Sequence, residues 1–231
     1  MTKKSKQERS RNALFILVAA FVGIIIGLIL VTIFFSPDPE TVDGMLDHID
    51  EDSDTRYMYN GFSFVLIDGL WYTKIKNPVD GNEYVLPLHF GPKDVQDVMI
   101  EGDVEGFLSQ VKAGATEGNI GRTFVTFNPT EERLGYTALA NSELSASLIQ
   151  VMHFKVFPGC DRNATGCEGA TIVHCGDTDK PVIYLNDTIN YPDAPQGPRI
   201  VVEDNCLTVY GSEYDLVKAV NRLLYKWHGI M

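Results

Sequence analysis

ALFILVAAFVGIIIGLILVTIFF, residues 13–35, decides how the rest of the chain is read. The run holds no charged side chain, and its clearly polar group is Thr32, whose hydroxyl can bond back to its own helix. A helix rises about 1.5 Å per residue, so this run can cross a hydrocarbon core of about 30 Å with slack for tilt. In lipid every backbone polar group must be paired internally, and a helix does that for itself. The sequence therefore predicts a transmembrane helix over 13–35, with everything after Phe35 held beside a membrane.

The flanks set the orientation. Lys3, Lys4, Lys6, Arg9 and Arg11 precede the run against the single acid Glu8. After it come Asp38, Glu40, Asp43, Asp47, Asp50, Glu51, Asp52 and Asp54 before the next base, Arg56. Lys and Arg collect on cytoplasmic flanks. The expectation is a cytoplasmic basic tail over 1–12 and an exterior C-terminal part. A cleaved secretory signal would have an apolar run of about 7–15 residues ending in small side chains. This run is longer and ends in Ile33, Phe34 and Phe35, so an uncleaved signal anchor is expected. Ala19, Gly23 and Gly27 recur every four residues, a spacing at which two helix backbones can approach closely and form a homodimer.

The chain of 231 residues has a net charge of −12. With a basic tail, the acid surplus sits in the exterior part. That excludes a nucleic-acid partner and a polybasic grip on anionic lipid, since both need clustered bases. Residues 36–56, with Pro37, Pro39 and the acid run 47–54, read as an acidic linker that repels itself into a stalk. A calcium loop would need an ordered ligand pattern with a central Gly and a distal Glu, which this run lacks.

Residues 57–231 read as one α+β domain, large enough for its own core. Residues 62–67 and 70–75 are β-branched and aromatic runs joined by Asp68-Gly69, a hairpin signal because both turn positions need positive φ. With 84–90 they make a three-stranded antiparallel meander, and Pro87 assigns the third strand to an edge. Trp71 and Tyr72 fall on opposite faces. Residues 95–100 read as a short strand or turn, 104–111 as a short helix, and 122–127 as a strand. A helix over 136–152 follows, with Leu144, Leu148 and Val151 in one stripe, and then a strand over 154–157. Three β runs at 170–174, 181–185 and 199–210 precede a C-terminal helix. Ser212 and Asp215 suggest its capping box, Gly229 its C-cap, and Leu216, Val220, Leu223, Leu224 and Trp227 its apolar face. The expected sheet is mixed and mostly antiparallel, covered by two or three helices.

Four cysteines in an exterior domain favour disulfides. Of three connectivities, the spacing favours Cys160–Cys167, bracketing a short polar loop, and Cys175–Cys206, joining one β run to the final hairpin. Two sequons, Asn163-Ala164-Thr165 and Asn186-Asp187-Thr188, sit in stretches read as polar loops and suit glycosylation. A zinc site from Cys160, Cys167, His174 and Cys175 has the wrong spacing, since structural zinc sites pair cysteines two to four residues apart. No metal and no cofactor is expected. No G-x-S-x-G, H-E-x-x-H or phosphate-binding glycine loop is present.

Two resemblances follow. Thr171-Ile172-Val173-His174-Cys175 resembles the sortase strand that ends in the catalytic cysteine of a T-L-x-T-C motif. That likeness implies a membrane-tethered thiol transpeptidase using Cys175 with His89 or His153 as base. His174 replaces the family's Thr, and the next Arg is the distant Arg199. The C-terminal pattern Val182-Ile183-Tyr184-Leu185, Asn205-Cys206, 215–219, 222–226 and Gly229-Ile230-Met231 resembles uncharacterised single-pass membrane proteins of archaea. It implies a location and an architecture without an activity. The expected function is a membrane-anchored extracytoplasmic binding or structural module of the cell envelope, with an envelope protein or glycan as partner. The alternative is a tethered hydrolase or transpeptidase.

Overall fold

The computed structural model describes residues 41–49, 51–77, 80–113, 121–176, 180–189 and 197–231. The predicted span over 13–35, with its Ala19, Gly23 and Gly27 face, lies outside them. Among the described residues no helix is long and apolar enough to cross a membrane. Val42–Met231 form one unit.

That unit starts earlier than expected. Helix α1, Val42–Asp47, occupies part of the predicted stalk and buries Leu46. Asp43 and Asp47 reach Lys74 Nζ at 3.4 and 2.5 Å, so part of the acid run is spent on a base of the folded body. Strand β1, Arg56–Tyr59, then pairs with β2, Phe62–Ile67, across Asn60-Gly61, both at positive φ. β2 pairs with β3, Leu70–Lys76, across Asp68-Gly69, also both at positive φ, as the turn signal predicts. β4, Glu83–Leu88, closes the sheet in the order β1-β2-β3-β4. The meander thus has four strands where three were expected. Pro87 lies on its edge strand, and Trp71 is buried on the face opposite Tyr72.

The second sheet corrects the expectation of one mostly antiparallel sheet. It comprises β5 (Met99–Glu101), β6 (Arg122–Phe127), β7 (Lys155–Cys160), β8 (Thr171–Ile172), β9 (Val182–Asp187), β10 (Arg199–Glu203) and β11 (Cys206–Gly211). The order is β5-β10-β11-β9-β6-β7-β8. Of these pairings only the β10–β11 hairpin is antiparallel. The reason is burial on both faces: Val182, Ile183 and Leu185 of β9 are all buried, which suits central parallel strands under helices. The chain runs from β6 outward to β7 and β8, then returns to place β9 on the other side of β6. Strand order therefore reverses between β6 and β9.

Three helices complete the unit: α2 (Val104–Ala113), α3 (Leu134–Ala146) and α4 (Tyr214–Trp227). The helix predicted over 136–152 ends as a wider π turn, Ser147–Val151. α4 buries a broad apolar face and keeps Asp215, Lys218, Arg222 and Lys226 half-buried along the opposite stripe. Leu216, Val220 and Leu223 are buried together with Val217 and Tyr225, whose ring meets Phe64 of the meander edge-on at 5.7 Å. α4 thus packs against both the meander and the second sheet. Its start differs from the predicted box: Glu213 is the N-cap, with φ 54° and no side-chain capping bond. Its end matches, because Gly229 takes positive φ while Gly229 and Ile230 donate to the carbonyls of Lys226 and Tyr225.

Candidate functional site

A cavity of about 340 Å³ opens where the end of β3, α2, the π turn and the end of α4 meet. Ile75, Leu108, Val151, Met152, Phe154 and Trp227 form its apolar wall. Asn77, His228, Lys76 and Lys112 supply its polar groups, and no Asp or Glu among the described residues lines it.

Each wall follows from local chemistry. The π turn carries the Met152 N–H back five residues to the Ser147 carbonyl at 3.0 Å, and such turns are frequent at functional sites. The Asn77 side-chain amide donates to the Val151 carbonyl at 2.6 Å, tying the end of β3 to that turn. Ser147 Oγ and His228 Nε2 lie 2.8 Å apart. Burial pushes the His228 pKa down to about 4, so the ring is neutral at neutral pH. Trp227 stacks on Phe107 at 6.4 Å, and its indole N–H donates to the Val104 carbonyl at 3.0 Å.

A second concentration of chemistry lies at the carboxyl ends of β6 and β9. Strand order reverses there, which is where open α/β sheets form crevices. Glu131, in the loop from β6 to α3, is only 7 % exposed, and Asp187, the last residue of β9, is fully buried. Glu131 Oε2 accepts from the Thr137 hydroxyl at 3.0 Å, and Asp187 Oδ1 accepts from the Ile189 N–H at 3.1 Å. Among the described residues Glu131 Oε1 and Asp187 Oδ2 have no hydrogen-bond partner. Burial raises the Glu131 pKa to about 7, and the charges of Asp187 and Asp161 add to the rise against the lowering effect of the Thr137 hydroxyl. Such a carboxyl holds a proton near neutrality. Among the described residues no group of three or more His, Cys, Asp or Glu is disposed to hold a metal ion.

Between these regions Glu143 of α3, 7 % exposed, accepts from the Asn221 side-chain amide and pairs with His89 Nδ1. Asn221 Oδ1 in turn accepts the Phe90 N–H at 2.9 Å. Burial pushes the Glu143 pKa up, and the Asn221 and His89 contacts oppose that rise. The cluster fastens the segment after β4 to α3 and α4. His89, one candidate base of the thiol reading, is spent on Glu143. The other, His153, lies 3.0 Å from the Tyr84 hydroxyl.

The cysteines pair as their spacing predicts: Cys160 with Cys167, Cα atoms 6.4 Å apart, and Cys175 with Cys206, 5.3 Å apart. Cys175 is therefore no thiolate nucleophile in this state, and none of the four sulfurs is free for zinc. Asn163 is exposed in the loop between the first pair. Asn186 is not in a loop. It belongs to β9, is half-buried, and its Oδ1 is buried without a partner.

Sequence reasoning missed the cavity and the Glu131–Asp187 pair. The one available signal for the pair was an acid closing the apolar run Val182-Ile183-Tyr184-Leu185. Nothing local marked the cavity, which needs four elements to converge. No family model, no curated protein and no solved structure matches the chain.

Proposed function

We propose that the chain is a membrane-anchored extracytoplasmic binding module of the cell envelope, receiving an apolar ligand in the cavity between β3, α2, the π turn and α4. In this reading residues 13–35 hold it in the bilayer, the basic tail stays in the cytoplasm, and the unit from Val42 onward stands outside. Ala19, Gly23 and Gly27 offer a homodimer contact, and a glycan at Asn163 would be tolerated on an exposed loop. The observation that supports ligand binding is the cavity itself: concave, walled chiefly by apolar side chains, with a few convergent polar groups, and within the size range of ligand pockets, about 300–1,000 Å³. The disulfide at Cys175 weighs against the thiol-enzyme alternative.

The test uses the full chain in nanodiscs of zwitterionic lipid. Its two tryptophans are Trp71 and Trp227, and only Trp227 lines the cavity. The neutral probe bromoundecanol should quench fluorescence saturably, and Trp227→Phe should remove the saturable part. Quenching that never saturates, or that is unchanged in Trp227→Phe, refutes a site in this cavity.

A further inference from the structure

We infer that the occupant of this cavity is a single-chain amphiphile with an anionic head, its chain inside and its head between Lys76 and Lys112. The inference rests on the cavity being a binding site and names the ligand class.

Three observations carry it. First, the Asn77 amide, the Ser147 hydroxyl and the Trp227 indole N–H at the interior wall are already engaged within the protein. Asn77 donates to Val151, Ser147 meets His228, and the Trp227 indole donates to Val104. A polar group placed among them would lose its water without gaining a partner, so the inserted portion must be apolar. Second, the volume of about 340 Å³ lies at the small end of ligand pockets, which fits one chain and not two. Third, the charge at this place is opposite to that of the molecule. The whole chain is at −12, yet the charged residues that line the cavity are Lys76 and Lys112, while Glu83, opposite Lys76 on β4, is not among the lining residues. Lys76 ends β3 and Lys112 lies in the last turn of α2, and both side chains are exposed. Two ammonium groups on long stems, coming from different walls, can converge on one anionic head while their stems extend the apolar lining. His228 adds no charge, because burial keeps it neutral.

The experiment measures saturable Trp227 quenching of the full chain in zwitterionic nanodiscs at pH 7.5 and low salt. Three probes share one chain: bromoundecanoate, bromoundecanol and bromoundecyl-trimethylammonium. Bromoundecanoate should bind about tenfold more tightly than the alcohol, the sum of two exposed ion pairs, and the ammonium probe should bind most weakly. In Lys76→Gln/Lys112→Gln the ratio of carboxylate to alcohol affinity should fall to within about twofold, and in wild type salt should erode it. Equal binding of the three probes, preference for the cationic probe, or an advantage that survives the double substitution overturns the anionic-head assignment and leaves the cavity reading intact. Saturable quenching by no probe overturns both.

Discussion

Replacing Glu131 by Gln should remove a pH dependence that the wild-type fold carries between about pH 4.5 and 7. The Glu131 carboxyl is buried beside Asp187, and its pKa is raised from 4.5 to about 7. The folded chain thus holds this proton more tightly than the unfolded chain does. Its contribution is complete below about 4.5 and is lost as pH rises through about 7. A shift from 4.5 to about 7, at about 1.4 kcal/mol per pKa unit, corresponds to about 3 kcal/mol. The amide introduced by Glu131→Gln keeps an acceptor for the Thr137 hydroxyl and cannot ionise beside Asp187. Above pH 7 the variant should therefore be the more stable protein. His228, with its pKa pushed down to about 4, acts in the opposite sense: folding is favoured as pH rises toward 6.5, and that gain is lost on acidification. It is common to both proteins and cancels in their difference. Guanidinium unfolding of the full chain in nanodiscs, read by tryptophan fluorescence from pH 4.5 to 8, measures that difference. A gap between variant and wild type that widens by about 3 kcal/mol across the window is expected. Parallel profiles would refute the placement of a protonated Glu131 against Asp187.

Asn221→Leu should cost about 3 kcal/mol in the same unfolding assay, because Glu143 Oε2 loses its amide donor, leaving that carboxylate with His89 alone, and the Phe90 N–H loses its acceptor. Removing Cys175–Cys206 by double Ala substitution should destabilise by about 4 kcal/mol and removing Cys160–Cys167 by about 2.5 kcal/mol, since the first closes the longer loop. The order of the two midpoints checks this. Protease added to intact cells should remove the exterior unit and leave a small protected N-terminal fragment. Full protection of a C-terminal tag would contradict the orientation.

What the sequence disclosed depended on whether the cause was local. Asp68-Gly69 gave the β2–β3 hairpin because two adjacent residues carry the positive φ values the turn requires. Asn60-Gly61 carried the same signal, but the domain reads as beginning at Tyr57, and three residues before the turn are too few to mark a strand by pattern. The cysteine pairing was legible because chain separation alone favours joining the short loop and the last hairpin. Strand direction was not. The run of β9 reads the same in either sense, and its partners β6 and β11 lie far away in sequence. The stalk reading failed over Val42–Asp47, since one buried Leu46 and a base at Lys74 suffice to hold that turn against the meander. The apolar stripe on α4 was visible, but its second buried side, with Tyr225 against Phe64, exists only because the meander folds over it. The cavity depends on how the π turn, α2 and two chain ends converge, which no single stretch encodes.

The central claim is that this cavity is occupied in the native membrane. The most direct measurement purifies the full chain from its own membranes, denatures it, and identifies the released small molecules by mass spectrometry. Val151→Phe and Leu108→Phe, each narrowing the cavity from a different wall, serve as comparisons once their folding is checked by circular dichroism. One anionic single-chain amphiphile should be retained by wild type and depleted in both narrowed variants. Release of nothing beyond bulk bilayer lipid, or equal retention by all three proteins, would contradict it.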